Sequence, residues 1–433
     1  MFLFGNKTEV CIFGVVSFVI VLGGYAASLK SSGGVKVKKV DCSTLTGKVM
    51  CGYQGWFNAE GDGAGVGWIH YGKGAPRPGK CSIDLWPDMS EMDDNEIYAT
   101  EFRHTDGSKA YLFSSYNSKT VMRHFQWMAQ YGIDGVFVQR FGSSVRNSGR
   151  TVVRNTVLDN CRKGANAYGR VWALMYDLSG LKRGEIRSVV IEDWKRLVDK
   201  KAIRADSAYL HHSGKPVVAV WGVGFRDRDY TVAECDELVS FLKNDRRYGG
   251  NTVMLGLPTG WRELKRDAVR DKLLHQVIRK SDIVSPWTVG RYRNAIEVAR
   301  HARQYTKPDM VWCAQNKKEY LPVVFPGFSW QNLKSMRGES AQLNQIPRRN
   351  GDFLWEQYAA CKEAGATMVY QAMFDEIDEG TAIMKCSDNP PVGASRFVTN
   401  EGLPSDYYLW LVGEAARMIR GEFKTTHKPA GCR

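Results

Sequence analysis

The sequence predicts an α/β chain wound as a (β/α)8 TIM barrel, one large domain behind an N-terminal signal segment. Three observations carry that expectation. Eight apolar runs of strand length recur along the chain, and each is followed by a stretch with helical spacing. The runs are continuously apolar, the pattern of parallel strands covered on both faces, and parallel neighbours need helical crossovers. The length of 433 residues exceeds an average domain but suits one barrel with long loops. An open doubly wound sheet is the competing arrangement. The glycines of GYQGWF sit inside the first run, so no phosphate-binding turn supports nucleotide binding.

The first strand is expected over 49–57 (VMCGYQGWF). A Gly-rich excursion over 58–80, a short apolar piece at 83–86 and an acidic loop at 88–94 precede the first helix, 121–131. Strands then follow at 135–141, 171–177, 216–223, 252–258, 283–289, 320–328 and 367–374. Helical spacing separates them at 151–167, 185–200, 232–243, 262–280, 294–305 and 353–364, and 406–420 closes the domain. Pro286 and Pro322 lack backbone donors, which places them at strand ends or irregular positions.

Residues 10–27 are apolar and uncharged, and Ala26 and Ser28 fit a small-x-small cleavage site. Residues 1–28 therefore read as a signal peptide or a signal anchor, 29–41 as a linker, 42–424 as the barrel and 425–433 as a tail. The expected location is secreted or periplasmic, with membrane contact only through an uncleaved first segment. The net charge is +14, but the basic residues are scattered through helix-like segments. That points to a basic solvated surface and away from nucleic acid. None of the ten cysteines has zinc-site spacing, so no metal is expected. In an oxidising compartment Cys42 or Cys51 could pair with Cys81. Hydrophobic residues, at 43%, suffice for a large core. The 13 Trp and 19 Tyr suit flat saccharide platforms as well as core filling.

Barrel chemistry lies at the C-terminal ends of the strands. Those ends carry Tyr53, Gln54 and Trp56, then Gln139 and Arg140, then Tyr176 and Asp177. Trp221, Trp287 and Trp330 follow, and the eighth strand brings Tyr370 and Gln371. Rings, amides and carboxylates around one mouth fit a polyhydroxylated ligand. Taken singly, each ring is equally well explained by core packing, and Asp177 by capping the next turn. Directly after the eighth strand stand Asp375, Glu376, Asp378 and Glu379. Crowded carboxylates repel, so at least one pKa should rise. A protonated carboxyl beside an ionised one is what acid–base cleavage of an acetal needs. Glu376 and Glu379 share a face only in a helical turn, where positions three apart lie roughly 5–6 Å apart at Cβ. The chain is therefore expected to leave the strand near Phe374 and curl to Gly380.

The run Glu376-Ile377-Asp378-Glu379-Gly380 resembles the Glu-Trp-His-Glu-Gly signature of glycoside hydrolase family 99, the endo-α-mannosidases, and of the related family 71. The early strand ending in Tyr53 and Trp56 agrees with that resemblance. It implies a barrel enzyme cleaving an oligo- or polysaccharide with retention and without a cofactor. It implies further that Glu376 deprotonates the sugar 2-hydroxyl to give a 1,2-anhydro sugar, and that Glu379 serves as acid and base at the glycosidic oxygen. Ile377 and Asp378 stand where the signature has Trp and His. A non-catalytic glycan-binding barrel is the main alternative. A metal-dependent hydrolase built on the four carboxylates is another, although the spacing of a calcium loop is missing.

Overall fold

The computed structural model describes residues 38–429. The signal segment, most of the linker and the last four residues of the tail lie outside the described residues. Within them, eight strand positions form one parallel ring. β1 (Val49–Tyr53) pairs with β2 (Gly135–Phe141), and β2 with β3 (Val171–Asp177). β3 pairs with β4 (Lys215–Trp221), β4 with β5 (Thr252–Leu257) and β5 with β6 (Ile283–Pro286). β7 is split. Its first half, Glu319–Tyr320, pairs with β6, and its second half, Val323–Val324, pairs with β8 (Val369–Gln371). β8 returns to β1 and closes the ring. Pro322 sits where β7 changes partner, its carbonyl accepting the Tyr370 N–H at 2.9 Å, and Pro286 ends β6.

A helix follows each strand: α1 (Ser118–Tyr131), α2 (Ser148–Ala167), α3 (Glu192–Lys201), α4 (Val232–Asn244), α5 (Leu273–Lys280), α6 (Ala295–His301), α7 (Asp352–Glu363) and α8 (Tyr407–Arg420). Local chemistry marks their starts. The Asn117 side chain caps α1, and Thr231 with Glu234 forms a capping box on α4. α6 runs on through a widened turn, Ala302–Thr306, into Lys307–Gln315. The wide turn falls just before Pro308, whose ring would crowd the carbonyl of an ordinary turn.

Two expectations are corrected. The helix expected over 262–280 begins only at Leu273. Leu264 and Arg266 have positive φ of 53° and 58°. Asp267 holds the loop by accepting the Thr259 and Gly260 N–H groups, and Arg262 is paired with Asp309 at 2.8 Å. Polar anchors thus override helical periodicity there. The eight described cysteines, Cys42, Cys51 and Cys81 among them, are free thiols, seven of them buried. Cys51 lies on the outer face of β1, packed in the apolar layer beneath the helices.

Side chains alternate across the ring wall. Met50, Phe137, Ala173, Met175, Val217, Ala219, Met254 and Tyr370 fill the interior. Cys51, Val136, Val138, Trp172, Leu174, Val218 and Val220 face the helices. Gly52 faces inward, where a Cβ would lie 2.1 Å from the Tyr370 hydroxyl, so only glycine fits.

The same alternation sends Arg140 outward. Its guanidinium pairs with Asp193 of α3 through two bonds of 2.5 and 2.7 Å and reaches Asn155 of α2 at 2.9 Å. Tyr176 donates to the same Asp193 at 2.8 Å. Arg140 and Asp193 are both almost fully buried. Breaking such a pair leaves an uncompensated charge. Asp193→Ala should therefore cost about 3–5 kcal/mol, read as a lowered urea midpoint, while the double change Arg140→Met with Asp193→Ala should recover part of it. Equal midpoints for wild type and Asp193→Ala would contradict this role.

Candidate active site

The chain leaves β8 earlier than expected, before Phe374, and the acidic run then curls. The strand ends at Gln371, and Ile377–Gly380 form a turn. The Thr381 and Ala382 N–H groups close it by donating to the Glu376 carbonyl at 3.2 and 3.1 Å. Gly380 takes φ 66°, and a Cβ there would lie 2.8 Å from Ser329 N, so the tight exit requires glycine. The excursion after β1 pins the turn from the other side. The Asp84 and Leu85 N–H groups both donate to the Ile377 carbonyl at 3.0 Å, and Ser329 N donates to the Glu379 carbonyl at 2.9 Å. Asp84 in turn accepts the Gln331 and Asn332 N–H groups after β7.

Each carboxylate in the run has a different setting. Asp375 accepts the Gln54 and Gly55 N–H groups at 2.7 and 2.8 Å, clamping the end of β1. Glu376, 5% exposed, accepts from Gln54 Nε2 at 2.5 Å and from the Thr381 hydroxyl at 2.6 Å. Asp378, 2% exposed, meets His70 Nδ1 at 3.4 Å through one oxygen, while its Oδ1 has no hydrogen-bond partner among the described residues. Glu379 is partly exposed and opens into a cleft of about 290 Å³ that Trp287, Phe328 and Trp330 also line. Its carboxyl makes no side-chain hydrogen bond or ion pair among the described residues.

Burial raises all four pKa values. Asp375 and Asp378 are pushed up to about 7 by desolvation. Glu379 is pushed up to about 7 by desolvation and then by the charge of Asp378. Desolvation, then the charges of Glu379 and Asp378, lift Glu376 well above the glutamate range. Two neighbouring groups raised together share a proton at neutral pH. The two donors on Glu376 work against its rise without cancelling it, and Glu379 is the more open of the two.

The mouth around them is aromatic. Trp56 stacks on His70 with centroids 4.0 Å apart and on Phe141 at 5.2 Å. Trp221 meets Trp287 edge-on at 5.4 Å, and Trp287 meets Tyr370 at 6.4 Å. Gln139 donates to the Tyr370 hydroxyl at 3.1 Å. Asp177 faces the interior, accepts the Ser179 N–H at 2.7 Å and is raised to about 6 by burial. Buried polar atoms in this region without a partner among the described residues include Gln54 Oε1, Trp56 Nε1, Gln139 Oε1, Trp221 Nε1, Gln345 Oε1 and Asp378 Oδ1. Mixed donors and acceptors left open in an aromatic pocket match a ligand with many hydroxyls.

The structure thus brings together Gln54, Trp56, Gln139, Asp177, Trp221, Trp287, Tyr370, Glu376, Asp378 and Glu379. It removes four expected residues from the mouth. Tyr53, Arg140, Tyr176 and Gln371 point outward, Tyr53 to His124 at 2.9 Å and Gln371 to the Tyr358 hydroxyl at 3.0 Å. Each is one position out of phase with an inward residue. Asp375 supports the mouth through the backbone instead of lining it. Both oxygens of Asp375 and both of Glu376 accept from protein donors. No group of three or more metal-ligating side chains is placed to hold an ion among the described residues. Residues missed at the sequence level are Thr381, which directly follows the acidic run, and His70, which sits in a Gly-rich loop without periodicity.

No protein-family profile matches the sequence, and no curated protein matches it. The fold is similar to that of a GH99 endo-alpha-mannosidase from Bacteroides thetaiotaomicron, with a TM-score of 0.60 and 16% identity over 87% of this chain and 98% of that one. A second structure of that enzyme, in complex with bis-tris-propane, gives a TM-score of 0.59 at 16% identity over 88% and 99%. At that identity the likeness establishes a shared barrel, and the chemistry rests on the site.

The raised carboxylates also set a stability profile. Folded pKa values near 7 lie above the ordinary carboxylate range, so their contribution is fully present below that range and is lost as pH rises through about 7. The thermal midpoint should therefore fall between mildly acidic and mildly alkaline buffer, and Asp378→Asn should flatten the fall. An unchanged slope in that variant would contradict the crowding described here.

Proposed function

We propose that this chain is a retaining glycoside hydrolase acting on an oligo- or polysaccharide, with Glu376 and Glu379 as its catalytic pair. The observation that carries the reading is the asymmetry of that pair. Burial raises both glutamates, but one is held by two donors at the base of the mouth and its neighbour opens into an aromatic cleft. The barrel shared with an endo-alpha-mannosidase supports the substrate class.

In this reading the proton shared by the pair sits on Glu379 in the reactive state, the Glu376 carboxylate takes the proton of the sugar 2-hydroxyl, and that oxygen attacks the anomeric carbon as the glycosidic bond breaks. Glu379 gives its proton to the departing oxygen. Glu379, now ionised, takes a proton from water, which opens the 1,2-anhydro ring at the anomeric carbon. The proton held by Glu376 returns to O2. Two inversions give net retention, both glutamates are regenerated, and only water is consumed with the saccharide. Gln54 and Thr381 hold Glu376 in place, and the Trp221–Trp287–Tyr370 wall offers ring faces and edges to the sugar. Export through residues 1–28 belongs to the same proposal, supported by the apolar run there.

Glu379→Gln should lower turnover of an oligosaccharide by about 10²–10⁴-fold and spare an aryl glycoside with a good leaving group more. Wild-type kcat/KM should decline as pH rises through about 7, where Glu379 loses the proton it must give. Full activity in Glu379→Gln would remove the assignment. Glycan binding by the wild type with no reducing ends released would show a binding barrel instead.

A further inference from the structure

A second cleft, of about 260 Å³, opens beside the acidic turn. The loop after β1 supplies Asn58 and His70 to it. The chain after β2 supplies Ser144, Arg150 and Arg154. It therefore lies on the strand-end face, between the loops of neighbouring strands. His70 joins it to the catalytic pair's surroundings, since the same ring touches Asp378 and stacks on Trp56.

The cleft has an unusual charge balance. None of its described lining residues is a carboxylate. Arg150 is exposed and makes no ion pair among the described residues. Arg154 spends one N–H on the Gly55 carbonyl at 2.6 Å, while its Nε is buried without a partner. Arginines elsewhere, such as Arg123, Arg146, Arg162 and Arg262, are matched to carboxylates. Arg150 and Arg154 instead stand one helical turn apart at the start of α2 and repel each other. Each holds the other's positive field in the cleft, and that field reaches His70, which burial and then both guanidiniums keep neutral. Asn58 and Ser144 add uncharged polar groups to the lining.

We propose that this cleft is a subsite for an acidic substituent, so that the preferred saccharide carries an oxyanion close to the bond that is cut. This rests on the glycosidase reading and specifies its substrate class. A guanidinium offers paired N–H groups to a carboxylate, a sulfate or a phosphate alike, so the shared chemistry is an oxyanion on a sugar. The net charge of +14 would draw such a polymer in at low salt.

The test uses the full chain carrying Glu379→Gln, so that binding is read without turnover. Calorimetry compares methyl glucuronide, glucose 6-sulfate and glucose 6-phosphate with uncharged methyl glucoside at low and high salt. At least one charged sugar should bind about tenfold tighter than the neutral one, and which does so names the substituent. Arg150→Gln should remove most of that preference, and high salt should shrink it. Equal binding of charged and neutral sugars would overturn the proposal. So would a preference that Arg150→Gln leaves intact, or binding of inorganic sulfate with no preference among sugars. None of these outcomes depends on whether Glu379 is the acid, so the subsite and the catalytic assignment fail separately.

Discussion

Four carboxylates confined to the buried end of one strand are the constraint around which the rest of this molecule is arranged. Left to solvent, Asp375, Glu376, Asp378 and Glu379 would separate and ionise. The barrel prevents both. Asp375 is tied to the end of β1, Glu376 to Gln54 and Thr381, and Asp378 to His70. Gln54 serves two of these ties, one through its backbone and one through its side chain. The resulting repulsion is met by protonation, which is what keeps a proton available at neutral pH.

Holding the turn in that state takes support from distant segments. The excursion between β1 and α1 sends Asp84 beneath it, and the loop after β7 reaches it through Ser329. Arg348 adds two bonds from its guanidinium to the Gly380 and Ala382 carbonyls, the first at 3.1 Å and the second at 2.5 Å. These contacts are buried and come from elements on opposite sides of β8. The long first loop therefore works as part of the scaffold of the site as well as its rim.

The fold was legible because parallel strands buried on both faces stand out as unbroken apolar runs. Residues 135–141 and 171–177 match β2 and β3 residue for residue. That same lack of alternation concealed which side chains point inward. Tyr53 beside Gln54, Arg140 beside Gln139, Tyr176 beside Asp177 and Gln371 beside Tyr370 are each one outward and one inward neighbour. Only a fixed point such as Gly52, packed against Tyr370, sets the phase. The acidic run was legible as a cluster, and its curl followed from the spacing of its glutamates. His70 and the arginines of the second cleft were not, because their meeting depends on loop geometry. The shortened α5 failed for a related reason: side-chain anchors such as Asp267 are specific to the folded loop.

The central claim is that Glu376 and Glu379 together hold one proton at neutral pH. Carbon-13 NMR of the side-chain carboxyls, titrated in the wild-type protein and assigned through single Gln substitutions, measures it directly. The account predicts a carboxyl of this pair that stays protonated up to about pH 7 and titrates with its neighbour. Two carboxyls that both ionise in the usual glutamate range, independently of each other, would contradict it.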